Sequence, residues 1–354
     1  MDFSEYGAPS AEWLAFVQTN PVAAQDGFTD NDLNKASELR EKSNKARGAA
    51  GAKLMADNGL HEKVEITTVQ VPSRSAHTIP LRIYRPRGTA AGGAVLYFHG
   101  GGYLLGDENS DDYVCCRMAD ETKLVILSVI YRHTDLHKHP AQVEDSWDAF
   151  EYVRDNADSL EPAVRRNMGV LGISAGSTLA ASVVLRELEY SRKAQGYQCL
   201  IKGAVLGIPW LIHIDNYPFE LFKSKDIAAK VQNKETPVIP SQRLQLFSDL
   251  LGAADPKDRI LNIPLLSEDE LKGWPKTAFL VAGADPLRDD GLLFAKKLEA
   301  MSVPTKVNIY PGLPHGFRRW TQLEATTHFD ATLTDGLKWI GINEGGEAWQ
   351  AFKI

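Results

Sequence analysis

The stretch Gly172-Ile173-Ser174-Ala175-Gly176 constrains this chain more than any other, because it stands where an apolar run, 168–173, gives way to a helix-like run, 174–189. A serine between two glycines at such a junction reads as a nucleophile elbow. The strand turns back into the helix so sharply that the serine takes a strained backbone conformation, and side chains at 172 and 176 would collide with their neighbours.

The pattern around the elbow decides the fold class. Val64, Ile66, Val69 and Val71 alternate with polar residues, as do Ile79, Leu81 and Ile83, so two half-buried strands are expected first. A short apolar strand follows at 94–98, then strands at 124–131, 168–173, 201–208, 277–282 and 305–310, separated by helices near 110–120, 141–157, 175–190, 290–301 and 324–340. Near-continuous apolar strands alternating with helices predict an α/β chain, doubly wound, with a mostly parallel sheet covered on both faces and an antiparallel edge.

Two regions lie outside that alternation. Residues 1–60 hold two helix-like segments, one with Trp13, Leu14, Phe16 and Val17, the other, from about 30 to 56, polar with a thin Leu33, Ala36, Leu39 stripe. Residues 209–264 interrupt the pattern with mixed aromatic, charged and proline content, and an insertion of that length at the carboxyl end of a strand reads as a lid. The expected division is N-terminal cap helices at 1–60, a catalytic domain at 61–208 and 265–345, and a cap insertion at 209–264.

Composition excludes several function classes. A net charge of −7 with no long basic run leaves no electrostatic footprint for nucleic acid. The N-terminus lacks the features of a signal peptide, and the apolar runs are strand-sized, so no membrane span is expected. Cys115, Cys116 and Cys199, an odd count with two adjacent, suggest no disulfide framework and read as core fillers; with the absence of an Asn-x-Ser/Thr acceptor they favour a cytoplasmic home.

A serine hydroxyl needs a base to take its proton and an acid to orient that base, and in such a fold these follow the serine in the order acid, then histidine. Asp285 comes just past one late strand and His315 just past the next. Asp285 could also cap the following helix, and Asp289 and Asp290 are the fallback acids. An oxyanion formed by serine attack needs backbone N–H groups unobstructed by side chains, and His99-Gly100-Gly101-Gly102 directly follows a buried strand. The N–H groups of Gly101, Gly102 and Ala175 are the expected donors, and His99 is expected to hold the glycine loop. Tyr103 is placed on the pocket floor. Trp210 and Leu211 are expected to contact substrate, among cap aromatics that include Phe28, Tyr217, Phe219 and Phe222.

Taken together, His99-Gly100-Gly101-Gly102-Tyr103 with Gly106-Asp107, Tyr131-Arg132 with Pro140-Ala141 and Val143-Glu144-Asp145, the Gly172–Gly176 stretch, Asp285-Pro286-Leu287-Arg288-Asp289 and His315-Gly316-Phe317 resemble the hormone-sensitive lipase family of α/β-hydrolases over roughly residues 60–340. The resemblance implies an α/β-hydrolase fold, hydrolysis of carboxylic esters through an acyl-enzyme, no cofactor, and Ser174, His315 and Asp285 as nucleophile, base and orienter. Some members pair through their last strand and helix, which leaves a homodimer open. This chain departs at Ile173, where the family has aspartate, and at Ser177, where it has glycine. It departs again at 133–136, where His133-Thr134-Asp135-Leu136 replaces a leucine, alanine, proline, glutamate run. His133, Asp135, His137 and His139 raise a metal reading that no ligand-spacing motif frames, and a polar loop is expected instead.

Three functions follow as expectations: a serine carboxylesterase acting on an apolar small or medium ester or thioester; a biosynthetic relative whose acyl-enzyme is captured by an intramolecular nucleophile in lactonisation or cyclisation; and a small-molecule receptor on the same fold, as in the gibberellin receptors, which lack the histidine present here at 315.

Overall fold

The computed structural model describes residues 1–24, 32–88, 91–341 and 350–351. The strands β1 (Val64–Pro72), β2 (Thr78–Pro86), β3 (Ala94–Phe98), β4 (Val125–Val129), β5 (Met168–Ile173), β6 (Ile201–Gly207), β7 (Lys276–Ala284), β8 (Thr305–Pro314) and β9 (Gln350–Ala351) form one sheet in the order β1-β2-β4-β3-β5-β6-β7-β8-β9. β1 pairs antiparallel with β2, and β2 with β4, while every other neighbouring pair is parallel. The antiparallel edge and parallel centre are those expected. The run predicted to 131 stops at Val129, and β9 falls where no strand was expected.

The central strands are apolar throughout because both faces are covered. Side chains alternate across a strand, so Ala94, Leu96 and Phe98 of β3 enter one core layer while Val95 and Tyr97 enter the other. Against the first layer pack α4 (Ala141–Asp155), α5 (Ala175–Lys193) and α7 (Arg288–Ala300). Against the second pack α3 (Asp112–Thr122), carrying Cys115 and Cys116, and α8 (Glu324–Ile340). Cys115 and Cys116 are core fillers, and burial pushes the Cys116 thiol up to about 12.

The two N-terminal helices are α1 (Ala11–Thr19) and α2 (Ala36–Asp57). α2 begins at 36, not 30, and its buried face is Ala36, Asn44, Gly51 and Met55; of the expected stripe Ala36 is buried and Leu39 packs on the core, while Leu33 is exposed. Gly48 and Gly51 face Asn109 and Tyr113 across α2's contact with the body, where an added Cβ would lie 3.8–4.0 Å away, at ordinary contact distance. The insertion between β6 and β7 is built of short 3₁₀ turns, a single α-helical turn at Ala229–Gln232 and the helix α6 (Ser241–Leu251). Its ends are tied by an antiparallel bridge between Ile212 and Asn262 and by the His213 N–H donating to the Leu261 carbonyl at 3.0 Å. No helix among the described residues is long and apolar enough to cross a membrane.

Candidate active site

Ser174 lies between β5 and α5 at φ 54° and ψ −121°, a region that side chains rarely occupy. The glycines make this turn feasible. A Cβ at Gly172 would lie 2.3 Å from the Gly176 carbonyl oxygen, and one at Gly176 would lie 2.1 Å from that of Phe98. The strain is held from all sides: the Ser174 N–H donates to the Gly207 carbonyl at 2.8 Å, and its own carbonyl accepts from Ser177 at 2.9 Å and Trp210 at 3.2 Å. Ser177 is fully buried, and its hydroxyl donates to the Gly172 carbonyl at 2.9 Å, so one of the elbow's two departures from the pattern the resemblance implies brings a polar tie of its own to the turn.

β7 and β8 deliver the other two side chains. His315 Nε2 stands 3.0 Å from Ser174 Oγ, and its Nδ1 stands 2.7 Å from Asp285 Oδ2. Asp285 Oδ1 accepts the Leu287 N–H at 2.8 Å, so the carboxylate caps the turn into α7 with one oxygen and meets the imidazole with the other. All three residues are buried. Asp289 and Asp290 are occupied elsewhere. Asp289 accepts from the Tyr217 hydroxyl at 2.8 Å and the Ala229 N–H at 2.6 Å and pairs with Arg288 at 2.7 Å, while Asp290 accepts the N–H groups of Leu211 and Ile212, both at 3.0 Å.

The glycine loop after β3 runs beside the serine, with Gly101, Gly102 and Tyr103 at φ 133°, 61° and 61°. Among the described residues the N–H groups of Gly101, Gly102 and Ala175 donate to no backbone carbonyl, which leaves three donors beside Ser174. Two features that sequence reading missed fix this loop. Asn44 of α2 closes a double hydrogen bond with Gly106, its Nδ2 donating to the carbonyl and its Oδ1 accepting the N–H, both at 2.8 Å. Phe247 of α6 lies flat on Gly102, where a Cβ would meet its ring at 2.3 Å. His99 stacks on Tyr131 at 4.3 Å, and burial lowers its pKa to about 4, so it serves the loop as a neutral ring.

Of the expected substrate contacts, Tyr103 and Trp210 come together, ring centres 5.5 Å apart, and Leu211 is fully buried on the segment held by Asp290. The Trp210 carbonyl accepts the Thr178 hydroxyl of α5. Trp13 and Phe16 instead pack on Trp320, and Tyr217 stacks on Phe222 and meets Phe219 edge-on, so these aromatics fasten the N-terminal helix and the insertion. Phe28 lies outside the described residues. The histidine-rich loop disperses: His133 stacks against His99, Asp135 pairs with Arg40, and His139 pairs with Asp258 at 2.8 Å. No group of three metal-ligating side chains occurs among the described residues.

A family model described as alpha/beta hydrolase fold matches residues 95–319. A carboxylic ester hydrolase, LipN, of Mycobacterium tuberculosis is 33% identical over 316 residues, covering 87% of this chain and 76% of the relative. A versiconal hemiacetal acetate esterase of Dothistroma septosporum is 31% identical over 280 residues, covering 79% of this chain and 81% of the relative. Among solved structures, a hyperthermophilic esterase from Pyrobaculum calidifontis superposes with a TM-score of 0.76 at 26% identity, over 95% of this chain and 100% of that one. By its sheet, its elbow and these relatives, the chain belongs to the α/β-hydrolase fold family, among the enzymes of carboxylesterase type.

Proposed function

We propose that this enzyme hydrolyses small or medium apolar carboxylic esters through an acyl-enzyme on Ser174. One observation carries the reading: at a strained elbow, His315 bridges Ser174 Oγ at 3.0 Å and Asp285 at 2.7 Å. Ser174 Oγ attacks the ester carbonyl carbon as its proton passes to His315 Nε2, while Asp285 holds the Nδ1–H tautomer and balances the imidazolium. The carbonyl oxygen, now anionic, takes hydrogen bonds from Gly101, Gly102 and Ala175. Collapse breaks the bond to the leaving oxygen, which receives the proton from Nε2. Water then gives a proton to His315 and attacks the acyl carbon, releasing the acid and restoring Ser174.

Residues 1–60 and 209–264 act as the cap. Tyr103 and Trp210 give the pocket its apolar, aromatic character, which suits an ester such as the hemiacetal acetate for which one relative is named. The same enclosure favours a second fate for the acyl group. With Ser174 only 7% exposed, an internal hydroxyl of a folded substrate competes with water, giving a lactone.

A fluorophosphonate adduct located by mass spectrometry, with turnover of a p-nitrophenyl ester panel, tests both. Labelling on Ser174 and loss of about 10⁶ in turnover in Ser174→Ala are expected. Failure to label overturns the acyl-enzyme, whereas labelling without ester turnover favours intramolecular capture.

A further inference from the structure

The first turn of α7 carries an acid that the proposed mechanism does not use. Asp290 is fully buried, and its Oδ2 accepts two consecutive backbone N–H groups, from Leu211 and Ile212. Those residues continue directly from Trp210, whose N–H reaches the Ser174 carbonyl and whose carbonyl takes the Thr178 hydroxyl. The segment is therefore tied at one end to the nucleophile and at the other to Asp290. Gly291 closes the contact, since a Cβ there would meet Pro209 at 2.9 Å.

The other oxygen of Asp290 faces Lys230 Nζ at 3.6 Å, and neither atom makes a hydrogen bond among the described residues. Around this pair stand Tyr217, whose ring lies 5.4 Å from the ammonium; Asp289, already satisfied by Arg288, Tyr217 and Ala229; buried His213, next in the chain after Ile212, whose pKa is lowered first by burial and further by the Lys230 charge; and, from the glycine loop, Tyr103. The single cation is matched to a single uncommitted carboxylate oxygen. An ionised carboxylate accepts N–H bonds more strongly than a neutral acid and holds the lysine as well.

We propose that Asp290, paired with Lys230, is the positioning residue that holds the 210–212 wall against Ser174, and that its ionisation sets how well the site grips a long acyl chain. This rests on the acyl-enzyme reading of Ser174. Burial moves the Asp290 carboxyl up to about 6, the Lys230 charge opposing the shift, so the wall loosens as pH falls through that value.

The test compares kcat/KM for p-nitrophenyl octanoate with that for the acetate from pH 5 to 7.5. Protonation steps that affect both esters alike cancel in the ratio. In the parent enzyme the ratio falls about tenfold toward pH 5. Asp290→Asn, neutral and nearly isosteric, holds the low-pH ratio at every pH. Lys230→Met moves the midpoint upward by about one unit, because the carboxylate has lost its cation, and it decides the matter if Asp290→Asn does not fold. A parent ratio that does not change with pH, an Asp290→Asn curve that follows the parent, or an unmoved midpoint in Lys230→Met overturns the proposal. Absence of fluorophosphonate labelling on the parent's Ser174 overturns instead the reading beneath it.

Discussion

Replacing Ser177 with glycine, the residue the resemblance implies at this position, takes a buried tie away from the elbow. The Ser177 hydroxyl is one of the buried donors that hold the turn, reaching the Gly172 carbonyl at 2.9 Å from the first turn of α5. Its removal costs about 1 kcal/mol for the hydrogen bond. Glycine within a helix adds roughly 0.5–1 kcal/mol, and the vacated volume adds about as much again. The sum is roughly 2–3 kcal/mol. At about 2.1 cal/mol/K per residue, a chain of 354 residues has an unfolding entropy near 0.7 kcal/mol/K, so Tm should drop by about 3–4 °C. Scanning calorimetry measures this, and Ser177→Ala separates the hydroxyl from the glycine penalty, with close to half of the drop expected. Because Gly172 and Gly176 still impose the turn, kcat/KM at 25 °C should stay within about fivefold. A Ser177→Gly protein as stable as the parent refutes the hydrogen-bond reasoning. A hundredfold loss of rate in a folded variant refutes the view that Ser177 only supports the elbow.

Two further outcomes follow from the acids. Asp285→Asn presents an amide N–H to His315 Nδ1 and selects the tautomer with hydrogen on Nε2, so kcat should fall by about 10⁴; parental activity in this variant with a dead Asp289→Asn would overturn the assignment. Asp290 also links stability to pH. Its folded pKa of about 6 lies above the unfolded value of 3.8, so the native state binds the extra proton between them and stability contributed by this group falls as pH rises through 6. Between pH 5 and 7 the parent should lose about 1 kcal/mol relative to Asp290→Asn in paired urea titrations, and a pH-independent difference would refute the buried-acid account.

The elbow, the glycine loop and the order of acid and histidine were legible because each imposes a local demand. A turn that admits no Cβ writes itself as glycine, and a strand covered on both faces writes itself as an apolar run. What escaped depends on contacts between distant parts of the chain. Asn44 sits in a polar helix whose pattern gives no hint that it clasps Gly106, 62 residues on. Phe247 is one apolar residue among several in α6 until the fold lays it on Gly102. Leu33 misled because the helical spacing was carried one residue group too far: Ala36 and Leu39 face the core from α2, but Leu33 falls in the 3₁₀ turn before the helix begins and is left exposed. Asp289 and Asp290 were legible as acids at a helix start, and their partners lie 60 to 79 residues away in the insertion.

Those partners give the short run from Asp285 to Asp290 two tasks. Asp285 orients His315, and within the next five residues Arg288 takes Gln232 at 2.6 Å and the Ile227 carbonyl, Asp289 takes Tyr217 and Ala229, and Asp290 takes Leu211 and Ile212. The insertion answers in kind, since Asn233 Nδ2 donates to the Asp285 carbonyl at 2.9 Å. The 209–264 insertion is thus fastened to the same turn that brings Asp285 to His315, and its near end is tied to that turn through Arg288, Asp289 and Asp290. If the proposed hydrolysis holds, opening for substrate is expected at the far side, where α6 meets the body through Phe247 on Gly102, the Lys138 ammonium on the Leu250 carbonyl and the His139 N–H on the Leu251 carbonyl, rather than at the turn that carries Asp285.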